Sequence, residues 1–173
     1  RLVYRYLKDN PQFLEQYDYF FIPDDDIQTD QAGIERLFNL MEEYGLQIAQ
    51  PALERSYYTY PHTLLEHFSL LRYTNFVEMM APCFSRDALR KVLWTFDANE
   101  SGWGVEFSWP GLISSDHRDI AVVDGAPMVH TRPVKTGREK NQRELEAFLV
   151  GHNLEFEILE YGYVADNVLK GSD

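Results

Sequence analysis

Three short, mostly apolar runs constrain the fold of this chain more than any other feature: YFFI at 19–22, LQIA at 46–49 and IAVV at 120–123. Runs this short and this poor in polar alternation fit strands covered on both faces, and such strands lie inside sheets flanked by helices. Helical stretches stand between them. Residues 2–16 read as two helical pieces that part at Asn10-Pro11, because proline suits a first helical turn. Thr29 or Asp30 can cap a helix whose apolar positions Ile34, Leu37, Phe38, Met41 and Tyr44 recur at helical spacing before Gly45. Ser85 caps another with the stripe Ala88, Leu89, Val92, Leu93 and Phe96. Arg138 to Val150 is a third, strongly charged helix. Asn75–Met80 and Leu154–Leu159 read as extended, Pro51 as the end of the second run, and Asp124-Gly125 as the end of the third. Residues 54–72 show no clean period. Strands alternating with helices predict an α/β layer architecture. With no internal repeat and no low-complexity linker, residues 1–173 read as a single domain.

The 173 residues are 45% hydrophobic and 14% aromatic, enough for a sizeable core. A net charge of −12 argues against nucleic acid or an anionic membrane as the main partner, since both need a basic footprint. No apolar run is long enough to span a bilayer. The single cysteine, Cys83, excludes an internal disulfide and fits a reducing compartment, so a cytoplasmic location is expected. The chain opens on Arg1 rather than methionine, as a piece of a longer protein would.

The run at 19–22 leads through Pro23 directly into Asp24, Asp25 and Asp26. Carboxylates about 4 Å apart repel by roughly 4 kcal/mol at an effective dielectric near 20. The triplet therefore either splays into water at a turn or holds a cation. In an extended chain Asp24 and Asp26 share a face and Asp25 opposes them. Their place after a buried strand is where open α/β sheets put ligands, and hard oxygen donors suit Mg²⁺ or Mn²⁺.

The stretch SGWGVEFSW (101–109) sets Trp103 between two glycines, with Glu106 two residues beyond the second. Glycine lets backbone approach a ligand closely, and an indole offers a flat platform. Beside Trp103, Phe107 and Trp109, the Glu106 carboxyl is expected to have a raised pKa, as a general base needs. The alternative is a pair of core tryptophans with Glu106 facing water. His130 follows the third apolar run, as a metal ligand or an ordinary histidine. After it, Arg132, Lys135, Arg138, Lys140 and Arg143 make a basic stretch that either meets a diphosphate or pairs with nearby acids.

Together these elements resemble a GT-A-fold glycosyltransferase-like family of plant and bacterial proteins. Asp24–Asp26 resembles its DxD motif, GWGVE its GWG-acid element and Val129-His130 its downstream metal-binding histidine. LQIAQPAL (46–53), RYTNFVEMMAPCFSRDAL (72–89) and VVDGAPMVHTRPV (122–134) are similar to it in wording, so the likeness covers roughly residues 12–135. The resemblance implies a mixed, partial Rossmann-like sheet flanked by helices. It also implies a metal-dependent transfer of a sugar from a nucleotide-sugar donor to a hydroxyl acceptor. Asp24, Asp26 and His130 would hold Mn²⁺ or Mg²⁺, with Asp24 also nearest the ribose. Asp25, Arg132 and Lys135 would face the donor. Trp103 and Gly104 would form the acceptor wall, and Glu106 would be the base of an inverting attack, with Glu78 or Asp124 next in line. Only 23 residues precede Asp24, so the N-terminal nucleotide-binding strands of that fold are expected to be lacking. The other reading is a catalytically inactive carbohydrate-binding or interaction domain that keeps the fold.

Overall fold

A computed structural model describes residues 1–54, 57–133 and 137–166. The chain begins with helices α1 (Leu2–Asp9) and α2 (Phe13–Gln16), parted at Asn10-Pro11 as expected. Strands β1 (Tyr19–Phe21) and β2 (Ile27–Gln28) bracket the aspartate triplet. Helix α3 (Gln31–Glu43) starts where the Asp30 carboxylate accepts the Gly33 N–H at 2.8 Å. It ends before Gly45, whose φ of +64° suits glycine. Strands β3 (Ile48–Leu53), β4 (Ser69–Thr74) and β5 (Cys83–Ser85) follow. Helix α4 (Arg86–Val92) is capped by Ser85, whose hydroxyl accepts the Ala88 N–H. Helix α5 (Trp109–Ile113), strand β6 (Ile120–His130), helix α6 (Arg138–His152) and strand β7 (Glu160–Ala165) complete the order.

The strands form one open, mixed sheet in the order β1-β5-β3-β6-β4-β7. Its β3–β6 pair is parallel and the other pairs are antiparallel. Neighbouring residues on the central strands go to opposite faces, as the two-residue period of a pleat requires. Ile48, Phe84 and Ile120 join Leu7, Leu89, Trp109 and Phe148 in one core. Ala49, Cys83 and Ala121 pack with Leu37, Leu40 and Met41 of α3 in the other. Helices thus cover both faces, which is the α/β architecture expected. Among the described residues no helix is long and apolar enough to cross a membrane.

Several local expectations are corrected. Strand β1 is not covered on both faces; it is a half-buried edge that pairs only with β5. Pro51 does not stop β3 but lies inside it. The β5 ladder reaches only Ile48 and Ala49, so no bond from the missing Pro51 N–H is needed on that side. Asp124-Gly125 is not a turn, and β6 runs through it to His130. A Cβ on Gly125 would lie 2.5 Å from Leu70 Cδ1 and 3.1 Å from Leu40 Cδ1, so a larger residue there would have to displace these leucine side chains of β4 and α3. Asn75–Met80 and Leu154–Leu159 lie outside strands, next to β4 and β7 respectively.

Candidate active-site cleft

The long reach of β6 positions the site. Its last residues pair with β2, with Ile27 opposite His130 and Gln28 opposite Val129. The Thr131 N–H and hydroxyl both donate to the Asp26 carbonyl at 3.0 Å. On the other side, Ile22 N–H donates to Pro82 O and Asp24 N–H to Met80 O, at 2.9 and 2.7 Å. The triplet is therefore strapped between the end of β6 and the segment 78–82. It adopts a turn rather than a strand, so Asp24 and Asp26 converge through that turn and not through alternation.

A cleft of about 190 Å³ opens there, and Asp24, Asp26, His130, Glu106, Trp103 and Arg132 all line it. Residues from four of the sequence motifs thus meet at one place. Asp25 is instead exposed and accepts from Arg132 at 2.8 Å. Arg132 also reaches Asp26, with Nε 3.3 Å from Oδ2. Lys135 lies outside the described residues. Lys140 turns away to Glu100 and Glu144, so the basic stretch does not act as one patch.

Asp24, Asp26 and His130 bring two carboxylates and an imidazole to the cleft. His130 is buried, and its Nδ1–H donates to the Tyr57 carbonyl at 2.8 Å, which turns Nε2 toward Asp26 Oδ2 at 3.4 Å. A backbone carbonyl on the far nitrogen is the usual way a ligating imidazole is oriented. Asp24 is pushed up to about 6 by partial burial, then by Asp26, although its exposed position at the rim screens part of this. Among the described residues, however, no three His, Cys, Asp or Glu side chains are gathered closely enough to hold a metal ion. The guanidinium of Arg132 stands beside Asp26 instead.

Glu106 sits in a 3-10 turn, Val105–Ser108, and is only 3% exposed. Burial pushes its carboxyl up to about 8, with neighbouring Glu78 adding to the rise and the backbone amides of Glu106 itself and Gly104 opposing it. The expectation of a raised pKa holds for this residue, but its apolar surroundings differ from those expected. Trp109 is a core residue whose indole N–H donates to Thr95 at 3.1 Å, and Phe107 packs on Phe76. Only Trp103 of the two indoles faces the cleft.

The Trp103 loop is tied down on all sides. Asn99 accepts the Gly102 N–H and donates to the Trp103 carbonyl, at 2.7 and 2.9 Å, and Glu144 of α6 accepts the Ser101 N–H at 2.8 Å. Gly104 does not line the cleft, contrary to its expected place in the acceptor wall. It is buried at φ +89°, and a Cβ there would lie 2.9 Å from Leu145 Cα. Its glycine serves the packing of α6. Gly104→Ala should therefore cost about 2–4 kcal/mol, combining left-handed strain with a backbone clash. Gly111→Ala, with open space around it, should change stability little. Chemical denaturation of the two variants measures the contrast.

Glu78, expected only as a reserve for Glu106, is buried in the same cleft. Gln50 Oε1 accepts the Glu78 N–H at 2.6 Å, and Thr59 hydrogen-bonds the Glu78 carboxyl. Burial pushes that carboxyl up to about 7, helped by Asp24. The signal for it was one acid in the apolar stretch NFVEMMAPC, and for Gln50 one amide inside a buried strand. Asp124, the other reserve base, is not in the cleft; it is locked to Arg72 in the sheet.

A family model described as "Protein of unknown function (DUF707)" matches residues 3–69 and 70–152. No curated protein and no solved structure matches the chain.

Proposed function

We propose that this chain, which belongs to the DUF707 family, is a metal-dependent glycosyltransferase with a GT-A-like sheet, using a nucleotide-sugar donor and a hydroxyl acceptor. The observation that carries this reading is the convergence of Asp24, Asp26, His130, Glu106 and Trp103 on one cleft at the strand ends. Asp24, Asp26 and His130 would hold Mn²⁺ or Mg²⁺, which when bound supplies Lewis-acid neutralisation of a departing diphosphate. Arg132 is half-exposed and already balanced by two carboxylates, so its guanidinium can turn to an anionic phosphate.

Glu106 accepts the proton of the acceptor hydroxyl. Its apolar burial holds the proton affinity near neutrality, where a base is most effective. Trp103, fixed by Asn99 and Ser101, offers its ring to the apolar face of a sugar. Direct attack assisted by one base inverts the anomeric centre.

Sugar-nucleotide hydrolysis or transfer assayed with and without Mn²⁺ tests the reading. Asp26→Ala should abolish the metal-dependent rate, a loss of at least about 10²-fold, and His130→Ala should weaken Mn²⁺ binding about 10–100-fold in calorimetry. Failure of both Mn²⁺ and Mg²⁺ to bind the intact chain overturns it.

A further inference from the structure

The inner end of the cleft holds two carboxyl groups with unmet hydrogen-bonding capacity. Glu78 and Glu106 are 8% and 3% exposed, both line the cleft, and Oε2 of each has no hydrogen-bond partner among the described residues. Buried acceptors left without donors each cost on the order of 1–3 kcal/mol, so a native chain keeps them where a ligand completes them. Glu106 has a role in the proposed transfer. Glu78 has none.

We propose that Glu78 marks an ammonium subsite, and that the ligand of the inner cleft is a small amino alcohol, such as an amino sugar, with its amine at Glu78 and its hydroxyl at Glu106. This rests on the reading of the cleft as an acceptor site and names the acceptor's class. The choice of a cation over a second hydroxyl follows from the charges. Asp24, Asp26, Glu78 and Glu106 share the cleft, and among the described residues that line it Arg132 is the one guanidinium or ammonium, placed beside Asp26 at the outer end. A neutral hydroxyl would give Glu78 Oε2 a donor but would not offset the cost of ionising a buried carboxyl. An ammonium does both. The surrounding side chains suit a desolvated cation as well: the Trp103 ring, the Tyr60 ring and the Met79 thioether line the same cleft.

D-glucosamine and D-glucose differ at this level by one ammonium in place of one hydroxyl, so they separate the two chemistries. Each is titrated into the intact chain in the presence of diamagnetic Mg²⁺ at pH 7.5, following the Trp103 indole N–H resonance. The expected result is that glucosamine binds about tenfold or more tightly than glucose. Glu78→Gln, which keeps the shape and removes the charge, should bring the two to equal affinity. Equal binding of both sugars by the wild-type chain, binding of neither, or a glucosamine preference that survives in Glu78→Gln overturns the inference. The wild-type comparison stands even if the variant is poorly folded. Binding of Mg²⁺ or Mn²⁺ without a glucosamine preference removes this inference alone, whereas failure of both metals to bind removes the transferase reading.

Discussion

Replacing Glu106 by glutamine is expected to lower transfer by about 10²–10⁴-fold while leaving Mn²⁺ binding intact. The residue sits inside the cleft and contributes no hydrogen bond that holds the triplet, so the loss should fall on the chemical step. In the wild-type chain the rate should rise with pH and reach half its maximum near 8, because only the ionised carboxyl accepts a proton. Glu78 couples to the same site, so the profile reports the pair and not one residue. Stability should move in the opposite direction. The folded chain holds the Glu106 proton up to about 8, whereas an unfolded glutamate releases it near 4.5. Stability from this group is therefore complete below about 4.5 and declines as pH rises through about 8. Glu106→Gln should flatten that decline and be the more stable protein at pH 8.5, as read by thermal melts across pH. A variant that keeps wild-type transfer, or a stability profile indifferent to the substitution, would move the base elsewhere.

The second prediction concerns Arg72 and Asp124, which hold the far half of the sheet together. Arg72 is buried and donates from both Nε and Nη2 to the Asp124 carboxylate, at 3.0 and 3.1 Å. It also donates to the carbonyls of His62 and Leu64, both at 2.7 Å, and to Glu160 of β7 at 3.2 Å. Ser69 and the Glu66 N–H complete Asp124. One guanidinium thus links β4, β6, β7 and the 62–64 turn. Asp124→Ala leaves that cation buried without its main partner and should cost about 3–5 kcal/mol. At about 2–4 °C per kcal/mol for a chain of this size, the melting temperature should drop by roughly 6–20 °C. The double variant Arg72→Met, Asp124→Leu should lose less than the sum of the two single changes, because it removes both charges together. Additive losses in calorimetry would show that the pair acts only through its separate hydrogen bonds.

The elements that could be read from sequence were those whose cause is local. Asp30 and Ser85 each satisfy an N–H three residues on, and the helices they start were legible for that reason. The break at Asn10-Pro11 is likewise a property of one dipeptide. Half of the site was legible too, because the triplet, the Trp103 element and His130 each stand out within ten residues. Gly104 also stood out, yet for a different reason from the one expected: its neighbour is Leu145, 41 positions away.

Strand β4 escaped the sequence reading because its burial pattern is set by neighbours from β6 and β7, not by any period of its own. Pro51 is tolerated in β3 only because β5 ends its ladder at Ala49. Glu78 became a site residue when Gln50, 28 positions earlier, took its N–H and the cleft closed over its carboxyl.

What this chain carries in its sequence alone is chemistry that acts over a few residues: caps, turn formers, the pleat's alternation and a set of acids and one imidazole suited to a cation. Which of those acids lose water, which strands are edges and which ends of the sheet meet depended on segments from 28 to more than 100 positions apart. Hydrogen bonds within a turn are specified by adjacent residues, whereas burial is a property of the whole packed chain.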